Sequence, residues 1–193
     1  ILAIPVLVGK KSEAEKFLST YHPALTLPIP IEEIAEVQLR IFIQLIPGIK
    51  ELLGIDAFIT PDFSQITIDE YSYNNFKQRT RFSIAHELGH KILHSDWYNH
   101  NGPKNIEEAL TFQERLDETT YKYMENQANT FAGLVLIPTD CLKHEIEKIV
   151  GKKRTSSFLP PLYELIEIFD VSEGVILRRM QKEGLVTSSS SAF

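Results

Sequence analysis

Residues 81–94 read RFSIAHELGHKILH, and within them His86-Glu87-Leu88-Gly89-His90 satisfies the HExxH spacing that holds a catalytic zinc in many metallopeptidases. Two histidines four residues apart lie on one face of a helix, about one turn from each other, so both rings can reach the same ion. Glu87 flanks that face. A carboxylate there is poorly placed to be a further ligand but well placed to take a proton from a water at the open metal position. Phe82, Ile84, Ala85, Leu88, Ile92 and Leu93 have the spacing of a mostly buried helix. Polar groups buried there without partners would cost on the order of 1–3 kcal/mol each, and a shared cation removes that cost. Glycine inside a helix costs about 1 kcal/mol relative to alanine, so Gly89 points to another backbone or a substrate passing close by.

A catalytic zinc site takes three protein ligands and a water, so a third His, Asp or Glu is needed. His94 extends the stripe of His86 and His90, but roughly 12 Å of helix rise separates the first ring from the last. Asp96 stands six residues after His90, where metzincins place their third ligand, yet Leu93 occupies the position at which that pattern turns on a glycine. Glu125 is the preferred candidate. It lies in LDETTYKYMENQANTFAGLVLIP, where Leu116, Tyr123, Ala128, Phe131, Leu134 and Val135 describe a second buried helix. Glu125 shares a face with Ala128, Asn129 and Ala132, small neighbours that allow close approach to the first helix.

The two segments together resemble the ImmA/IrrE family of zinc metallopeptidases. The first is similar to the family's R-x-RF-x-AHELGH-x-x-LH pattern through Arg79, Arg81, Phe82, Ala85, His86, Glu87, His90, Leu93 and His94. The second is similar to E-x-x-AN-x-FA-x-x-LL-x-P through Glu125, Ala128, Asn129, Phe131, Ala132 and Pro138. The likeness covers roughly residues 25 to 140. It implies that His86, His90 and Glu125 bind zinc, that Glu87 activates water, and that the substrate is a protein, a helix-turn-helix repressor whose loss releases the genes it silences. Some members carry an added DNA-binding or sensor domain, for which the 193 residues leave no room in full.

The rest of the chain frames this reading. A composition of 43% hydrophobic and 24% charged residues suits one well-buried domain with a small appendage. Net charge −6 argues against broad nucleic-acid affinity. One cysteine, Cys141, forms no internal disulfide, and no apolar run approaches a membrane span, so a cytoplasmic protein is expected.

KSEAEKFLSTY reads as a helix opening on a Ser12–Glu15 capping box, and IEEIAE as a short helix. Alternation from Val37 to Ile46 reads as a strand, and DAFIT and QITIDEY as a hairpin that joins it in a small antiparallel sheet whose edge can receive a peptide. HSDWYNHNGPKNIEE reads as a loop beside the site.

After the linker that follows Gly151, LPPLYELIEIFDVSEGVILRRMQKEGLV resembles a helix-turn-helix with Ser172 as N-cap. Arg178, Arg179 and Lys182 face phosphate in that reading, but the acidic first helix makes a simple packing unit the stronger interpretation. Arg79 and Arg81 are read as solvated or paired with local acids rather than as substrate anchors. His94, Tyr121, Tyr123 and His144 are candidate oxyanion donors.

The expectation is an α+β fold: a mainly helical zincin-like domain over residues 1–151 with a three-stranded antiparallel sheet, a helix-turn-helix-like pair over 156–187 and a tail over 188–193. The alternative to an endopeptidase is a regulatory protein that binds a repressor or DNA and uses its metal structurally.

Overall fold

A computed structural model describes residues 10–112, 117–152 and 162–186. Its first helix, α1 (Lys10–Tyr21), already includes Ser12, so the expected Ser12–Glu15 box lies inside the helix and does not cap it. The apolar alternation from Val37 becomes a strand only at β1 (Phe42–Ile46). Before it, α2 (Ile31–Glu33) runs into a π-helical turn over Ile34–Gln38, closed by Leu39 N–H on Ile34 O at 3.0 Å. Ile34 and Ala35 are fully buried while Val37 is 68% exposed. Burial of that adjacent pair, rather than the two-residue period, decides the backbone there.

The chain then passes through α3 (Ile49–Leu53) to β2 (Ala57–Ile59) and β3 (Gln65–Asp69). The expected hairpin forms, with Ala57 opposite Ile68 and Ile59 opposite Ile66; the Asp62 carboxylate holds its turn by accepting from Thr60 and Ser64. The strand order is β1-β3-β2, and β1 runs parallel to β3, from Phe42 opposite Gln65 to Ile46 opposite Asp69. The sheet is therefore mixed, which corrects the antiparallel expectation. Alternation within a strand tells which face is buried but not which neighbour it pairs with or in what direction. Here α3 carries the chain past the central β3, leaving β2 as an edge.

Asp69 caps α4 (Glu70–Asn75), accepting from Ser72 N–H at 2.8 Å. Next comes α5 (Lys77–Asn101), helical through the first eight residues of the segment read as a loop, of which only 102–105 stay non-helical, with one break at His94 (φ −128°, ψ 16°). After α6 (Ile106–Phe112), α7 (Glu118–Leu136) starts at Asp117, whose carboxylate accepts from Thr120 N–H at 2.9 Å. It is followed by α8 (Thr139–Lys152), α9 (Leu162–Phe169) and α10 (Glu173–Lys182). The fold is thus mostly helical with one small sheet.

Ile84 and Leu88 of α5, Phe131 and Val135 of α7, and Ile66 and Ile68 of β3 are buried in one core, to which α9 and α10 add Leu165, Phe169, Ile176 and Met180. Ser172 stands at the N-cap of α10 but its side chain makes no capping bond. No helix among the described residues is long and apolar enough to cross a membrane. The opening through Gly9, the linker over 153–161 and the tail over 187–193 lie outside the described residues.

Candidate metal centre

α5 and α7 cross at Gly89, where an added Cβ would meet Ala128 Cα at 3.0 Å and Ala128 O at 3.2 Å. The glycine is there because the neighbouring helix backbone passes that close. The approach brings Glu125 of α7 over the histidines of α5. His86 Nε2 and His90 Nε2 are 3.1 Å apart, and the Glu125 carboxylate places one oxygen 3.2 Å from each. A tetrahedral ion with bonds of about 2.0–2.1 Å separates its ligand atoms by roughly 3.3–3.4 Å; the two Nε2 atoms are close to that spacing, one carboxylate oxygen joins them within 4.8 Å, and two imidazoles with a carboxylate are donors that suit zinc. Among the described residues, His86, His90 and Glu125 are the group that gathers in this way. Asp96 is exposed and outside it.

Outer partners aim the rings. His86 Nδ1 donates to Asn129 Oδ1 at 3.1 Å, and His90 Nδ1 lies 3.1 Å from His94 Nδ1. These contacts leave the Nε2 lone pairs facing the common point. His94 is therefore behind the cluster, its own Nε2 meeting Gln127 Oε1 at 2.8 Å. Burial pushes the His90 imidazolium pKa down to about 4, reinforced by His86 and His94, so the ring is neutral as a ligand must be. Burial works against ionisation of Glu125, but its contacts with His86 and His90 outweigh that and hold its carboxyl far below the usual range. Burial also disfavours charge on His86, but Glu125 and Glu87 overcome it and raise its pKa. A bound cation would oppose that last effect.

Glu87 is 5% exposed. Burial pushes its carboxyl up to about 7, Glu125 adds to this, and His86 and the Ile59 amide oppose it. The ligand set and Glu87 line a cleft of about 290 Å³, walled by residues 54–58 leading into and along the free edge of β2 and by Tyr98, Phe112 and Tyr121. Of the foreseen oxyanion donors only Tyr121 lines this cleft; His144 is exposed on α8. Tyr98 went unforeseen because its segment reads as a loop. Its ring packs 4.9 Å from that of His90, and burial drives its hydroxyl pKa well up, so it keeps its proton.

Arg79 pairs with an acid, as expected, but Arg81 is buried and bonds to backbone carbonyls far along the chain rather than to a local acid. Arg79 joins Asp56 at 2.6 Å, and Arg81 bonds to Ile29 O and Asp170 O at 2.8 and 3.0 Å. Arg179 is turned inward to Ile137 O, Thr139 and Glu183 and cannot face phosphate.

The family model of the IrrE N-terminal-like domain, a peptidase domain, matches residues 70–181, from the start of α4 through nearly all of α10. A search of curated proteins returned no match.

Proposed function

Because the chain belongs to the peptidase family of the IrrE N-terminal-like domain, we propose that it is a zinc-dependent endopeptidase in which His86, His90 and Glu125 hold the ion and Glu87 is the general base. The observation that carries this reading is the convergence of His86, His90 and Glu125, whose ligand atoms lie within 4.8 Å of one another, beside a buried glutamate in a cleft. Zinc held by such a set lowers the pKa of water from about 16 toward 7 and polarises a carbonyl.

Glu87 takes one proton from the attacking water as its oxygen bonds to the carbonyl carbon. It returns that proton to the departing amine nitrogen as the C–N bond breaks, so no covalent intermediate forms. Tyr98 and Tyr121 offer O–H groups to the oxygen that becomes negative. The free edge of β2 supplies unpaired backbone groups to an extended peptide, which is held as an added strand. The resemblance to the ImmA/IrrE family points to a helix-turn-helix repressor as the substrate and to control of gene expression as the consequence.

Glu87→Gln tests the chemistry, since it removes the base and retains every proposed ligand. Zinc measured by elemental analysis should remain near one per chain, while repressor cleavage, followed by gel and mass spectrometry, should fall by at least about a hundredfold. Cleavage that survives unchanged overturns the mechanism. Repressor binding and gene release that survive without any cleavage by the unaltered chain favour the alternative, a binding protein with a structural metal.

A further inference from the structure

One wall of the metal cleft is apolar, and it begins at a metal ligand. The Tyr98 ring packs against that of His90 with centroids 4.9 Å apart, and Phe112 of α6 packs against Tyr98 at 5.8 Å. Both rings line the cleft of about 290 Å³, together with Pro103 and Ala109. Ala109 stands three residues before Phe112, on the same face of α6. Trp97, which does not line the cleft, packs on Phe112 at 5.9 Å and holds it in place.

The charges around this wall are spent. No lysine or arginine lines the cleft among the described residues, and its carboxylates belong to Asp56, Glu87 and Glu125. Glu125 joins the histidines, Glu87 serves as base, and Asp56 is paired with Arg79 at 2.6 Å and Lys50 at 3.2 Å. A charged side chain entering there loses its hydration and finds no free partner, whereas an apolar one exchanges water for ring and methyl surface.

Resting on the peptidase reading, we propose that Tyr98, Pro103, Ala109 and Phe112 form a specificity subsite for a large apolar side chain on a residue bordering the scissile bond, with Ala109 setting the size admitted. Successive side chains of an extended peptide point to opposite sides about 3.3 Å apart, so a strand added to the edge of β2 sends alternate side chains into the cleft. Because the wall starts on the ring of His90, the side chain that meets it lies next to the carbonyl at the metal. Ala109 has the smallest side chain of the four. A longer one at that position occupies the space that the substrate needs.

The test uses the zinc-loaded Glu87→Gln chain, so that binding is read apart from hydrolysis. Fluorescein-labelled, amidated decapeptides of alanine and serine carry a single Leu, Phe, Asn, Glu or Lys at each position in turn, and anisotropy reports their binding. At one position Leu or Phe should bind at least about tenfold more tightly than alanine, the least that one methylene is worth in an apolar pocket, and Asn, the polar isostere of Leu, should gain nothing. Salt should leave that ratio unchanged, since no ion pair underlies it. Ala109→Leu should cut the advantage to about twofold or less, and Ala109→Gly, which widens the space, should shift the preference from Leu toward Phe. Elemental analysis near one zinc per chain and circular dichroism verify each variant. Where the leucine variant fails either check, Ala109→Gly decides alone.

Equal binding of all guests at every position, a preference for Glu or Lys that fades with salt, or an apolar preference that the folded Ala109 variants leave unaltered overturns the subsite. Cleavage of the same peptides by the unaltered chain is scored separately by mass spectrometry. Cuts beside the apolar guest are expected, and cuts that stay away from it overturn the placement. An apolar preference in binding without any cleavage refutes the peptidase reading and leaves the subsite standing.

Discussion

His94 continues the stripe of His86 and His90 by one more turn, yet it meets the back of the His90 ring rather than the shared point, with the two Nδ1 atoms 3.1 Å apart. If Nε2 of His90 is kept for a cation, Nδ1 carries the proton and donates it to Nδ1 of His94. His94 then bears its own proton on Nε2, and Gln127 Oε1 accepts it at 2.8 Å. One amide oxygen thus fixes the tautomers of two imidazoles in a row. Outer partners of this kind are worth about 10- to 100-fold in metal affinity. His94→Leu, which leaves the His90 N–H without an acceptor, should weaken zinc binding within that range when measured by competition with a chromogenic chelator. His94→Asn should recover most of the loss, because its Oδ1 sits near the lost Nδ1. If the leucine variant holds zinc as tightly as the parent, the relay has no bearing on the metal.

At the scale of elements, the site depends on how closely α7 lies on α5. A methyl group at Gly89 improves helix propensity by about 1 kcal/mol, but it meets the backbone of Ala128 at 3.0 Å, and overpacking of that sort costs about 1–3 kcal/mol. Backbone cannot rotate away as a side chain can, so α7 must retreat and Glu125 retreats with it. Gly89→Ala should therefore lower stability by about 1 kcal/mol in urea unfolding and also weaken zinc binding. Unaltered zinc affinity would show that another contact sets the spacing.

Both helices were legible because their apolar periods run for several turns and because Glu125 stands next to alanines on its own face. The β2–β3 hairpin was legible from its alternation and turn residues. The parallel pairing of β1, the π-helical turn at Ile34–Gln38 and the break at His94 were not. Each depends on the packed fold rather than on the local pattern: both edges of β3 have a neighbour, Ile34 and Ala35 are buried side by side, and His94 meets His90 and Gln127 at once. Tyr98 was lost with the same stretch, since its Asn- and Gly-rich surroundings resemble a loop.

At the scale of the molecule, Arg81 joins parts that the sequence reading kept separate. It lies on α5 one turn before the metal ligands, is 5% exposed, and reaches Ile29 O with Nη2 and Asp170 O with Nε at 2.8 and 3.0 Å. Asp170 forms the joint of α9 and α10 with φ +49°, a conformation that aspartate tolerates better than most residues, and Lys77 also holds its carboxylate at 2.7 Å. One guanidinium thus ties the segment before α2, the metal-bearing helix and the C-terminal pair together, and Phe169 and Val171 are buried on either side of the joint. Losing one partner of a buried ionic contact costs about 3 kcal/mol or more, because the remaining groups stay buried without compensation. Arg81→Met should lower stability by about that amount, chiefly by leaving the Ile29 and Asp170 carbonyls without their donor, and adding Asp170→Asn should restore little of it, because Lys77 still pairs with the Asp170 carboxylate. Hydrogen exchange separates the two arrangements of the C-terminal pair. If α9 and α10 belong to the same cooperative unit as α5 and α7, amides of all four helices lose protection together in Arg81→Met. If the pair is a separable appendage, only α9 and α10 lose protection, and the zinc site keeps its affinity while they open.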